Sequence, residues 1–133
     1  MEQVAPVTAA PAVFDTSVFI GREGRDVGTL AQWAPIVSVV TIAELTLGVR
    51  LAKSDEIKEL RSATLADAMK ARVVPIDIAL VAQAWCTLRV ALPRKMPAND
   101  SWIAATALAL GIPVVTQDDD FESAAELLRI ERV

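Results

Sequence analysis

Short apolar runs alternate along the chain with longer segments that have helical periodicity. Five of the runs are rich in β-branched and other apolar residues, which predicts short strands buried in a sheet. The runs are Ala12–Asp15, Ile36–Val40, Arg72–Ile76, Ile112–Thr116 and, as a short final edge strand, Leu128–Val133. Because strands that alternate with helices form crossover units, this order predicts a parallel sheet covered on both faces.

The segments between these runs have the composition and spacing of helices. Helices are expected at Thr41–Lys53, Asp55–Lys70, Asp77–Leu92, Asn99–Leu110 and Glu122–Leu128. The fourth of them is apolar on almost all sides, which is typical of a central buried helix, and Gly111 is well placed to end it. The predicted fold class is therefore α/β, with a parallel β-sheet of about five strands flanked by helices in a three-layer arrangement.

Length and composition fit one compact domain. The 133 residues are 53% hydrophobic and 23% charged, so the chain can bury a core but is too short for two domains. We expect residues 1–11 to form a flexible tail and residues 12–133 to form a single domain. Glu2 stands where a signal peptide needs a basic residue, and no apolar run is as long as a membrane helix, so we expect a cytoplasmic protein. The single cysteine, Cys86, is expected in the core.

The chain contains no histidine, which excludes several kinds of catalytic site. Neither a Ser-His-Asp triad nor a pair of histidines can supply a general base, and no histidine can bind a metal. No phosphate-binding P-loop motif is present either. The net charge of −4 counts against broad nucleic-acid affinity, although it does not exclude a local basic groove. Carboxylates, hydroxyls, basic side chains and a bound metal remain as the means of catalysis.

Four acidic residues stand in or beside segments that are otherwise suited to burial. They are Asp15, Glu44, Asp100 and Asp118. Asp15 and Asp118 come just after predicted strands, and open parallel sheets bind ligands beyond the carboxyl ends of their strands. Because converging carboxylates repel one another and are costly to bury alone, the set predicts a divalent metal at this edge.

Glu44 carries the most weight among these acids. Its neighbours on the predicted helix, including Leu47 and Leu51, form a mostly apolar face, whereas Thr46 and Arg50 belong to a polar stripe. Glu44 is therefore expected to face a site rather than the solvent. The alternative is a glutamate at the edge of the apolar stripe that reaches water.

The three aspartates have simpler alternatives as well. Asp15 could cap a helix, and Asp100 could serve only to favour the dipole of the helix that it begins. Asp118 opens a run of three aspartates, of which a turn and a helix cap would explain one or two. Thr116 could orient a ligand or a water through its hydroxyl, or simply end a strand.

Taken in order, four motifs resemble the PIN-domain family and, within it, the VapC toxins of bacterial toxin–antitoxin pairs. The motifs are Phe14–Phe19, Thr41–Leu45 with Gly48 and Val49, Asn99–Ala105, and Val115–Phe121. Each motif alone is weak evidence for the family, but the four motifs in this order are specific to it. The resemblance extends from about Ala12 to Val133.

The resemblance implies a PIN-like endoribonuclease that depends on Mg²⁺, or Mn²⁺, and acts as a homodimer with a cognate VapB-like antitoxin. Asp15, Glu44 and Asp100 match the family's acidic residues. Either Asp118 or Asp120 matches the fourth acidic residue of the family, and we prefer Asp118. The remaining implied auxiliary residues are Thr16, Thr116 and Asp120. The helix pair that matches Thr41–Lys70 would hold the antitoxin.

The mechanism that follows is a hypothesis about these residues. Asp15 and Asp100 would be the principal metal ligands, Asp118 would hold a second ion, and Glu44 would position the attacking water or complete the metal shell. Four basic residues are candidate contacts to the RNA backbone, with solvated loop charge as the alternative. These are Arg22, Arg25, Arg94 and Lys95.

Two other functions were weighed against this one. A catalytically silent PIN-like module would act only through protein contacts, although its retention of all four acids counts against it. A haloacid-dehalogenase-type phosphatase needs a second aspartate where Ser17 stands, and the chain is short for that fold.

Overall fold

The computed structural model describes residues 9–24, 30, 32–77, 79–92 and 96–133. It contains one sheet of five strands in the order β3-β2-β1-β4-β5, and all four neighbouring pairs are parallel. The strands are β1 Ala10–Phe14, β2 Trp33–Ser38, β3 Arg72–Val74, β4 Val114–Thr116 and β5 Ile130–Arg132. The predicted α/β class with a parallel sheet is confirmed.

Five helices cover the two faces of the sheet. They are α1 Thr16–Arg22, α2 Val39–Arg50, α3 Asp55–Ala68, α4 Ala79–Ala91 and α5 Ala98–Leu110, and a 3₁₀ turn follows at Glu122–Ala124. Alternate residues of β1 point to opposite faces, as the pleat of a strand requires. Val13 packs into a core with Leu88 of α4 and Ile103 of α5, whereas Phe14 packs into a second core with Val18 of α1. The three-layer arrangement is therefore confirmed.

The helix α1 was not predicted from the sequence. It begins directly after Asp15, which caps it, and extends to Arg22. Helix α2 also begins earlier than expected, because the hydroxyl of Ser38 accepts the N–H of Val40 at 3.1 Å and caps the helix there. The expected continuation of the second strand to Val40 is therefore wrong.

Two further expectations are corrected and one is confirmed. The predicted helix Glu122–Leu128 is only the 3₁₀ turn Glu122–Ala124. Cys86 is exposed on α4 instead of lying in the core. Gly111 does end α5, in the left-handed conformation with φ of 68°, where a side chain would be strained.

Some expectations fall outside the part of the chain that the structure describes. Residues 1–8 of the predicted tail lie outside it, as do Arg25, Arg94 and Lys95. Strand β1 begins at Ala10, two residues before the expected start of the domain. Among the described residues, no helix has both the length and the hydrophobicity to cross a membrane.

Candidate active site

The four acidic residues singled out in the sequence line one open cavity of about 620 Å³. Asp15 follows β1 and Asp118 comes shortly after β4, so both stand at the carboxyl edge of the sheet. Asp100 lies in the first turn of α5, and Glu44 lies in the second turn of α2. Asp120 lines the same cavity. The architecture thus gathers residues that are far apart in the chain.

Asp15 is almost completely buried, with 2% of its surface exposed. Its Oδ2 accepts the N–H of Ser17 at 3.3 Å and the hydroxyl of Thr116 at 3.0 Å. Burial raises the pKa of Asp15, the nearby charge of Asp118 raises it further, and the hydrogen bonds from Ser17 and Thr116 act in the opposite direction. Asp15 therefore caps α1 and also lines the cavity, so a role as helix cap does not exclude a role in the site.

The hydroxyl of Thr116 connects the two aspartates at the ends of β1 and β4. Thr116 is completely buried, and its Oγ1 lies 3.0 Å from Oδ2 of Asp15 and 3.3 Å from Oδ1 of Asp118. The same oxygen accepts the N–H of Asp118 at 3.2 Å and lies 3.2 Å from the hydroxyl of Ser17. The single hydroxyl hydrogen of Thr116 can bond to only one of the two carboxylates at a time, and its oxygen also accepts the N–H of Asp118, so Thr116 links both aspartates at the edge of the sheet.

Glu44 is half-buried and is held from two sides. Thr16 donates its hydroxyl hydrogen to Oε1 at 2.7 Å, and the amide of Asn99 donates to Oε2 at 3.5 Å. The expected placement in the site agrees with this geometry, but the reason given for it was wrong. Leu47 and Leu51, which defined the supposed inner face of α2, are 55% and 68% exposed.

Asp100 experiences the strongest repulsion in the cavity. Burial, followed by the charges of Asp15, Asp120 and Asp118, raises the pKa of Asp100 to about 7. An aspartate with this pKa is about half protonated at neutral pH unless a positive charge joins it. The electrostatics of the cavity therefore favour a cation beside Asp100.

The run of three aspartates separates into two roles. Asp118 accepts the N–H of Asp120 at 3.1 Å through Oδ1, and both residues line the cavity. Asp119 points away, is 82% exposed and forms an ion pair with Arg132. The geometry leaves Asp118 and Asp120 both available, but only Asp118 is also joined to Thr116.

The donors in the cavity suit a hydrated oxygen-seeking cation. No group of three acidic residues in the described segments is close enough to form a complete metal shell. Mg²⁺ needs no such shell, because it keeps several waters and binds proteins through one or two carboxylates. Asp15 and Asp100 are suited to be these ligands, and Asp118 and Asp120 add negative charge nearby.

Of the four candidate RNA contacts, the structure describes only Arg22. Arg22 pairs with Asp67 of α3 at 3.3 Å and is absent from the cavity lining. The other three basic candidates lie outside the described residues. The sequence reasoning also missed Ser17 and Asn99, which line the cavity. Ser17 follows Thr16 and Asn99 precedes Asp100, and these neighbours could have indicated that both residues line the site.

The raised pKa of Asp100 predicts an unusual pH dependence of stability in the absence of metal. Between about pH 4 and pH 7 the folded protein keeps a proton that the unfolded chain has released, so protons favour folding. The free energy of unfolding should therefore fall as the pH rises through this range. We expect a loss of about 2 kcal/mol, because partial exposure to solvent reduces the full effect.

This dependence is measured by urea unfolding in EDTA at several pH values. Asp100→Asn is the control and should show a weaker dependence, since the group that titrates has been removed. Saturating Mg²⁺ should also weaken it. If the free energy of unfolding depended on pH equally in the wild type and in Asp100→Asn, the prediction would be contradicted.

Comparison with known proteins agrees with the resemblance seen in the sequence. The profile of the PIN domain matches residues 12–127. Ribonuclease VapC5 of Mycobacterium tuberculosis is 39% identical over 133 residues, covering 92% of this chain and 98% of the relative. Ribonuclease VapC4 of the same organism is 44% identical over 115 residues, covering 83% of this chain and 88% of the relative.

A solved structure is similar over nearly the whole chain. It is the crystal structure of VapBC-5 from Mycobacterium tuberculosis, a member of the VapBC family of toxin–antitoxin systems. The TM-score is 0.83 and the identity is 37%, with 93% of this chain and 99% of the other covered.

Proposed function

The chain belongs to the PIN-domain family, and from this membership we propose that it is a metal-dependent endoribonuclease and the toxin of a toxin–antitoxin pair. The observation that carries the proposal is the convergence of Asp15, Glu44, Asp100 and Asp118 on one cavity. The names of the relatives support the activity, because the chain covers almost all of the length of ribonuclease VapC5.

The reaction that we propose is hydrolysis of an RNA phosphodiester. Bound Mg²⁺ or Mn²⁺ supplies Lewis acidity toward the phosphate. Asp15 and Asp100 would hold the ion, and Thr116 donates a hydrogen bond to Asp15. Glu44, itself held by Thr16, would accept a hydrogen bond from the attacking water. The water oxygen would bond to phosphorus and release one proton, the P–O bond to the leaving oxygen would break, and the leaving oxygen would take up one proton, so that the protons balance.

A cleavage assay with purified protein tests this proposal. Labelled RNA should be cut in Mg²⁺ or Mn²⁺, left intact in EDTA, and cut again when the metal is restored. Asp15→Asn protein purified in the same way controls for contaminating nuclease. Intact RNA under all metal conditions would instead favour the catalytically silent interaction module.

The antitoxin, we propose, covers an apolar patch on the α2–α3 pair. The α2–α3 patch consists of Leu47 on α2, Leu51 directly after the end of α2, and Ile57 and Leu60 on α3, which are between 42% and 68% exposed. Large exposed apolar side chains grouped on one surface are typical of protein interfaces. The similar solved structure is of a toxin–antitoxin system, which supports a VapB-like partner.

Three finer proposals accompany this function. The chain forms one domain that begins at β1, the toxin assembles as a homodimer, and it acts in the cytoplasm. The distribution of core residues from Ala12 to Leu128 supports the first of these. Analytical ultracentrifugation of the purified toxin would test the second.

A further inference from the structure

The helix that carries Asp100 begins without the usual cap. Pro97 precedes α5, and within the described residues no side chain accepts a hydrogen bond from the N–H groups of the first turn. A helix start without a capping side chain is less stable by about 1 kcal/mol. Asp100 lies in this turn beside the acids Asp15, Asp118 and Asp120. Further contacts to the turn come from helix α4.

Helix α4 makes the first of these contacts through a tryptophan. The indole N–H of Trp85 donates to Oγ of Ser101 at 3.0 Å, and the hydroxyl of Ser101 donates to the carbonyl of Ala98 at 2.6 Å. Ser101 is 1% exposed, so these hydrogen bonds are shielded from water. They reach the two sides of Asp100, because Ala98 and Ser101 flank it in the first turn.

Two neighbouring contacts support the same segment. The rings of Trp85 and Trp102 stack with centroids 4.8 Å apart and an angle of 12° between their planes. Arg89 donates from Nη1 to the carbonyl of Met96 at 3.0 Å, and its guanidinium lies 5.9 Å from the centre of the Trp85 ring. Helix α4 therefore holds the chain just before α5 and the first turn of α5 itself.

We propose that Trp85, acting through Ser101, is a positioning residue that holds the first turn of α5 so that Asp100 can bind the cation. This inference rests on the proposed function, since it concerns the metal that the nuclease would use. Stacking against Trp102 alone would require only an aromatic ring at residue 85. The hydrogen bond to Ser101 requires the indole N–H, so the two contributions can be separated.

Trp85→Phe and Ser101→Ala test the proposal, because the first keeps a ring and removes the N–H and the second removes its acceptor. The dissociation constant for Mn²⁺ is measured by electron paramagnetic resonance on the full chain. We expect each variant to bind Mn²⁺ about tenfold more weakly, which is typical when a partner that orients a metal ligand is lost. The double variant should be no weaker than Ser101→Ala alone, because that change already removes the acceptor of the indole N–H.

Trp33→Phe is the matched control. Trp33 is half-buried, its indole N–H has no hydrogen-bond partner among the described residues, and it does not line the cavity, so this change removes an indole N–H away from the site. It should leave Mn²⁺ affinity unchanged. A merely structural role for Trp85 would lower the melting temperature of Trp85→Phe and leave the Mn²⁺ affinity of the folded protein at the wild-type value, and that result would overturn the proposal.

The test separates this inference from the function on which it rests. A wild-type protein that binds no Mn²⁺ and cuts no RNA would refute the proposed function and the inference together. A wild-type protein that does both, with Mn²⁺ affinity unchanged in Ser101→Ala, would refute the inference alone. If Trp85→Phe does not fold, Ser101→Ala decides the question by itself.

Discussion

Asp100→Asn should abolish RNA cleavage and at the same time make the metal-free protein more stable. Asparagine has nearly the shape of aspartate but lacks the charge that binds the cation. A bound metal stabilises the transition state by several kcal/mol, and each 1.4 kcal/mol corresponds to a factor of ten in rate. We therefore expect the cleavage rate to fall by about 10³ or more.

The gain in stability has the same physical origin as the loss of activity. Asp100 is repelled by Asp15, Asp120 and Asp118, and its carboxylate is partly desolvated. Replacing it with a neutral group removes both penalties. With the effect reduced by partial exposure to solvent, we expect the free energy of unfolding at pH 8 in EDTA to rise by about 2 kcal/mol.

Both effects are measured on the same preparation, by RNA cleavage in Mg²⁺ and by urea unfolding in EDTA. Glu126→Gln is the control, because it makes the same change from carboxylate to amide at an exposed residue that does not line the cavity. Glu126→Gln should leave both the cleavage rate and the free energy of unfolding close to the wild-type values. An Asp100→Asn protein that is inactive and also less stable would indicate loss of folding instead of loss of a metal ligand.

Leu51→Glu should weaken binding of the antitoxin by about a hundredfold or more. Leu51 is 68% exposed in the α2–α3 patch, so the free toxin tolerates a charge there. In the complex that charge would lie unpaired in an apolar interface. Changes at the centre of an interface commonly cost about 2–4 kcal/mol, which corresponds to this loss of affinity.

Isothermal titration of each toxin variant with purified antitoxin measures the effect. Leu80→Glu on α4 is the matched control, because Leu80 is 60% exposed but lies outside the α2–α3 patch. Its affinity should remain close to that of the wild type. Equal losses in the two variants would show that a general change in charge, and not the patch, is responsible.

Much of the site could be predicted from the sequence because its main residues stand at the ends of recognisable elements. Asp15 and Asp118 follow apolar runs, and a parallel sheet brings the carboxyl ends of such runs to one edge. Glu44 shows the limit of this reasoning. The apolar face from which it was inferred turned out to be exposed, because periodicity does not distinguish a face that packs on the sheet from one left for a partner.

Other features depend on tertiary contacts that no local pattern contains. Helix α1 has only 7 residues, too few for a clear period, and it begins where Asp15 caps it. The bond between Trp85 and Ser101 joins two helices, so each residue alone reads as ordinary packing. Cys86, next to Trp85, was expected inside because its neighbours are apolar, but successive residues of a helix point in different directions.

The pairing of β1 with β4 has a consequence for the order in which the protein is made. Val13 is in register with Val114, so the central pair of strands joins the beginning of the chain to a segment near its end. Closing so long a loop must wait until both segments exist. Asp15 therefore cannot meet Asp118 on a growing chain until the segment that contains β4 has also been made. The acidic cavity, which needs residues from both segments, assembles only after that point.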